Sequence, residues 1–110
     1  MKKALLLAAA LLAISTTAIA DSGIRYAALG YQQITDLSAA TALTVPTGAT
    51  TAVIVAEAQA VRYRDDGTSP TASVGQPVAV GVSITYTGPL SKVQFIEQTS
   101  GAKLNVLYYK

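Results

Sequence analysis

The chain has 110 residues, with eight Lys and Arg, six Asp and Glu, and no His, Cys or Trp. That composition excludes a disulfide framework, a thiol or imidazole nucleophile, and imidazole-based metal binding. The basic excess sits entirely at the amino terminus, where Met1-Lys2-Lys3 precedes an apolar run from Ala4 to Ile14 that is too short to span a bilayer comfortably.

Residues Ser15 to Ala20 end in Ala18-Ile19-Ala20, a small-x-small pattern. The spacing predicts an export signal peptide over residues 1–20, cleaved between Ala20 and Asp21. No Cys follows, which excludes a lipoprotein. Residues 21–110 then carry six basic side chains against six acids and no net charge. Such a chain has no basic patch for counterion release, so nucleic acid is not an expected partner. A net charge near zero gives little protection against self-association. Ninety residues suit one domain, 21–110, and without disulfides it depends on a tight core or on partner subunits. We therefore expect a homo-oligomer or a component of a larger assembly. It would be periplasmic or extracellular, with no membrane segment once the leader is removed.

In chain order, Asp21 to Gly30, where Ile24, Tyr26 and Ala28 alternate with Arg25, Ala27 and Leu29, reads as a short strand or a loose arm, and Tyr31 to Ile34 as a second short strand. Thr35-Asp36-Leu37-Ser38 is a turn, because Thr, Asp and Ser hydrogen-bond locally to the backbone. Ala39 to Leu43 reads as a strand leading into β-branched Thr44 and Val45. Pro46-Thr47-Gly48-Ala49 is a corner, with Pro presetting φ and Gly supplying a positive one. Thr51 to Arg64 carries the longest strand signal. Its Val53-Ile54-Val55 block has the composition of a strand buried on both faces. The alternation then changes phase, since Val61 and Tyr63 do not keep step with Ala56, Ala58 and Ala60. That predicts a β-bulge between Gln59 and Val61, or a break there into two strands.

Asp65-Asp66-Gly67 ends the strand, and Pro70 and Pro77 keep the next segment from being a central one. From Val78 to Tyr86 the period of two returns and predicts one half-buried strand, with Gly81 marking a bend. Thr87 to Leu90 turns, and Lys92 to Gln98 is a strand with Val93 and Phe95 on one face. Thr99 to Ala102 turns again. Lys103 to Tyr109 sets Leu104, Val106 and Tyr108 against Asn105, Leu107 and Tyr109. Seven or eight short strands at this spacing predict an all-β fold, a single antiparallel β-sandwich or small barrel, jelly-roll-like or Ig-like.

No catalytic residue and no cofactor is expected. Asp65 and Asp66 are adjacent, so on an extended chain they point to opposite faces and cannot share a substrate atom. With the Thr68 hydroxyl they could supply some of the oxygens of a calcium site, but no D-x-D-x-D-G spacing is present, and turn chemistry explains them as well. Glu57 and Glu97 could face each other only if the fold brings them together. Arg62-Tyr63-Arg64 places two guanidinium groups on one strand face, suited to a carboxylate, phosphate or sugar, or else to Asp65, Asp66 or Glu57 of the same chain. Tyr108 and Tyr109 must point opposite ways, which leaves Tyr109 as the expected contact residue outside the core.

VRYRDDGTSPTASVGQPVAVG (Val61–Gly81) and FIEQTSGAKLNVLYY (Phe95–Tyr109) together resemble a group of small bacteriophage and prophage proteins described as hypothetical or virion-associated. LTVPTGATTAVIVAEAQAVRYR (Leu43–Arg64) fits the same pattern. The resemblance implies a small β module of a particle or fibre and no catalytic residue. Behind an export signal, it also allows a phage-derived module placed in the envelope or at the cell exterior. The expected function is that of a non-enzymatic structural or interaction protein. The alternative is a secreted or periplasmic carbohydrate-binding module with Arg62, Tyr63, Arg64 and Tyr109 as contacts.

Overall fold

The computed structural model describes residues 26–110. The leader, its cleavage site at Ala20–Asp21 and the segment around Ile24 lie outside the described residues. Eight strands follow in order: β1 (Ala28–Ile34), β2 (Thr41–Ala42), β3 (Thr51–Glu57), β4 (Val61–Arg64), β5 (Gln76–Val78), β6 (Ser83–Tyr86), β7 (Gln94–Glu97) and β8 (Lys103–Tyr109). Among the described residues there is no helix. The strands form two antiparallel sheets, β1-β8-β3-β6 and β2-β7-β4-β5, the arrangement of a β-sandwich.

The pairing is nested. β1 pairs with β8, β2 with β7, β3 with β6 and β4 with β5. The chain is thus one long antiparallel hairpin whose tip is the Asp65–Gly75 connection. Rolling that hairpin adds the β3–β8 and β4–β7 pairings, which complete the two sheets. Every connection except the tip and its two strands must therefore step from one sheet to the other.

Those steps explain where the sequence pattern misleads. Val78 to Tyr86 is not one strand: it breaks after Val78 in one sheet and resumes at Ser83 in the other. Gly81 takes φ 78° at the break. Its N–H donates to Ala56 O at 2.9 Å, and Val82 N–H donates to Ala79 O at 3.3 Å. Val80 and Val82 are left exposed, although their alternation with Val78 had put them on a buried face. The break before Val61 is the partner of this one. Of the two expectations there, the break into two strands is the one that forms, and no bulge does: Ala58 takes φ 70° and Gln59 N–H donates to Glu57 O at 2.9 Å, a γ-turn that moves the chain from β3 to β4. The turn absorbs the phase change, so Ala56 and Val61 both face the core.

Three smaller expectations are also corrected. Ala28 to Ile34 is one continuous strand, with a register irregularity between Ala28 and Gly30 where it pairs with β8. Of Ala39 to Leu43, only Thr41 and Ala42 pair, against Phe95 and Gln94. β3 is not buried on both faces: Ala52, Ile54 and Ala56 are buried while Val53 and Val55 are half-exposed. The sheet that holds β3 covers the core on one side only, so its other face meets solvent.

The core lies between the sheets. β8 contributes Leu104, Val106 and Tyr108, and β3 contributes Ile54; β4 and β7 contribute Val61 and Phe95, while Leu37 and Val93 enter from loops. Each fully buried large side chain is worth about 1.5–3 kcal/mol relative to exposure. Leu37 reaches inward because the Asp36 carboxylate closes a turn, accepting from Ser38 N–H and from Ser38 Oγ.

Candidate interaction surface

The Arg-Tyr-Arg segment stands beside the hairpin tip. Arg62 does not meet a carboxylate: its Nε donates to Ala72 O at 3.1 Å and its Nη1 to Gly75 O at 2.9 Å. It holds the returning arm of the tip against β4. Gly75 makes this approach feasible, because a Cβ there would lie 3.1 Å from both Arg62 Cβ and Tyr63 O, at a φ of 144°. Arg64 forms a two-pronged ion pair with Asp66, with Nε to Oδ1 at 3.0 Å. That pairing holds the Asp66 carboxyl below the usual carboxylate range and raises Arg64 in return. The two guanidinium groups are thus committed to separate partners within the chain.

Asp65 turns the other way. Its Oδ2 accepts from the Tyr86 hydroxyl, linking the loop after β4 to a strand of the opposite sheet. Burial, reinforced by the bond to Asp65, pushes the Tyr86 phenol well above its ordinary pKa. Tyr63 packs on Tyr86 with centroids 6.0 Å apart and near-perpendicular rings, and on Phe95 at 5.6 Å. Tyr63 is therefore an edge-of-core residue. Together Tyr63, Arg64, Asp65, Asp66, Gly75 and Gln76 border a shallow polar recess. Among the described residues no group of three or more acidic, His or Cys side chains is gathered as metal ligands. Glu57 accepts from Asn105 Nδ2, and Glu97 from Gly101 N–H, on different sheets.

The outer face of the β1-β8-β3-β6 sheet is different in kind. Register sets Tyr31 opposite Leu107, Leu107 opposite Val53, and Val53 opposite Thr85. A second row runs Ala28, Tyr109, Thr51, and a third Gln33, Asn105, Val55, Ser83. None of these eleven residues is charged; the first charges, Glu57 and Lys103, face each other in the row beyond. Tyr31 is 59% and Leu107 40% exposed, and Leu29 is also exposed. Asn105 ties the face together, accepting from Tyr31 Oη and from Gln33 Nε2 while donating to Glu57. At one end Tyr26, Thr51, Val53, Thr85, Thr87 and Tyr109 line a groove of about 300 Å³.

Tyr109 lies on this face, while Tyr108 is buried with its hydroxyl donating to Gln32 Oε1 at 2.6 Å. The sequence thus placed Tyr109 and Tyr108 correctly. It did not find Tyr31, Leu107 and Val53 as one surface, because nothing local says that β1, β8 and β3 are neighbours. No protein-family model matches the chain, and neither the curated proteins nor the solved structures give a significant match.

Proposed function

We propose that this is a non-enzymatic, exported structural module that associates with copies of itself as part of a particle, fibre or surface assembly. The observation that carries this reading is the uncharged outer face, with Tyr31, Leu107 and Val53 in one row across three strands. Large apolar side chains exposed together, as Tyr31 and Leu107 are here, mark surfaces where proteins meet, and aromatic residues are enriched there. The committed arginines and the dispersed carboxylates offer no comparable chemistry elsewhere among the described residues.

The strand order supports a jelly roll as the finer form of the sandwich. An Ig-like sandwich groups its strands as ABED and CFG, whereas the nested order β1-β8-β3-β6 and β2-β7-β4-β5 is that of a rolled eight-stranded hairpin. Jelly rolls occur in viral capsid and lectin domains. That analogy is at the level of fold, and it agrees with the resemblance of Val61–Gly81 and Phe95–Tyr109 to phage proteins.

Sedimentation velocity over a range of concentrations tests the proposal. The purified protein should shift reversibly from monomer to a larger species as concentration rises, and Tyr31→Asp should weaken that shift. A single monomeric species at all concentrations overturns it. A second reading, binding of a neutral glycan, is favoured by the groove in which Tyr26 and Tyr109 stand near three threonines. Its check is a glycan array, on which loss of binding in Tyr109→Ala is the expected result.

A further inference from the structure

We infer that β1 pairs edge to edge with β1 of a second copy about a two-fold axis, joining two four-stranded sheets into one of eight strands. This rests on the self-association reading and specifies how the copies meet. The first argument is the contrast between edges. Sheet edges expose unpaired N–H and C=O groups, and proteins blunt them with short strands, proline or charge. Here β2 has two residues, β5 has three including Pro77, and β6 has four. By contrast β1 has seven residues, Ala-Leu-Gly-Tyr-Gln-Gln-Ile, with neither proline nor charge; its one register irregularity, between Ala28 and Gly30, is confined to its amino-terminal end and leaves Tyr31 to Ile34 regular.

The second argument is what lies near that edge. The segment from Leu43 to Pro46 passes beside β1, but it engages the Gln32 side chain: Thr44 N–H donates to Gln32 Oε1 at 3.1 Å, and Pro46 Cγ lies 3.7 Å from where a Gly30 Cβ would stand. No backbone hydrogen bond joins it to the strand. Among the described residues, β1 pairs only with β8. The third argument selects a second copy as the occupant. An antiparallel edge is complementary to itself under a two-fold axis, so no other sequence is required. β1 itself carries no charged side chain, so its own residues do not repel across the axis. Pairing also makes the Tyr31–Leu107–Val53 row continuous across the junction.

Hydrogen–deuterium exchange at low and high protein concentration, beside sedimentation of the same samples, tests the inference. Where sedimentation shows association, exchange across Ala28–Ile34 should slow at least several-fold, while β5 (Gln76–Val78), the short edge of the other sheet, should not change. As a second measurement, Gln33→Lys should weaken association about ten-fold or more by placing like charges at the junction, whereas Gln76→Lys should leave it unaltered. Association without added protection of β1, or insensitive to Gln33→Lys, overturns edge pairing and leaves self-association standing. Absence of any association overturns both.

Discussion

Gly88 shows how one missing side chain sets a contact between the sheets. A Cβ there would fall 2.5 Å from Tyr86 Oη and 2.7 Å from Cζ, so the ring lies directly over the glycine. The same hydroxyl donates to Asp65. Gly88→Ala should therefore displace the ring and break that bond, whereas Tyr86→Phe removes the bond and keeps the ring. Because the acceptor is a carboxylate, Tyr86→Phe should cost roughly 1.5–3 kcal/mol in urea unfolding, and Gly88→Ala at least as much. Tyr108 makes a separate prediction. Burial pushes its phenol up to about 12, above the ordinary value near 10. A group whose folded pKa is raised contributes stability below the unfolded pKa that is lost as pH rises through the folded one. The urea midpoint should thus hold up to about pH 10 and fall between about 10 and 12, and Tyr108→Phe should make that fall shallower.

The two paired crossings, Ala58 and Gly81, decide the elements. Ala58 is the one non-glycine residue with positive φ among the described residues, and such a conformation costs an L-residue of the order of 1–2 kcal/mol. A γ-turn with φ near +70° is rare, and here it lets β3 and β4 occupy different sheets within four residues. Ala58→Gly should leave stability unchanged or raise it by up to about 1 kcal/mol, since relieved strain offsets the entropy of glycine. Ala58→Val should destabilise by about 1–3 kcal/mol. Chemical denaturation of both variants measures the difference. At Gly81 an added Cβ meets nothing within 4 Å, so any cost of Gly81→Ala is conformational and not steric. These two sites are where the periodicity stops reporting burial. Val80 and Val82 continue the apolar alternation of a strand, yet they sit on a crossing that a rolled hairpin requires.

Across the whole molecule the tip of the hairpin has a structural role that its composition disguises. Arg62, Arg64, Asp65 and Asp66 look like a binding cluster, but each is bonded within the chain, to carbonyls, to a carboxylate or to Tyr86. The tip is where the chain reverses, and its charges hold that reversal against β4. The surface with unspent contacts is the far face of the other sheet. The self-association reading also presupposes export, and that is separately checkable. Expressed in a host with a signal-peptidase system, the protein should be recovered outside the cytoplasm with Asp21 as its first residue by intact-mass measurement. Recovery of the full-length chain in the cytoplasm contradicts it.

The sequence by itself determined the strands whose pattern is purely local: β8, with Leu104, Val106 and Tyr108 inward, and β7, with Phe95 inward and Val93 buried just before it. It also determined the corners at Gly48, Gly67 and Gly101, each at positive φ, and the all-β class. These follow from period-two burial and from backbone conformations that only glycine adopts freely. Only the tertiary structure decided which strands are neighbours. Strand pairs such as β1–β8 join residues seventy or more positions apart, and no local pattern encodes such a pairing. The uncharged row from Tyr31 to Thr85 exists only once those strands are side by side, as does the contrast between the long edge of β1 and the blunted edges elsewhere.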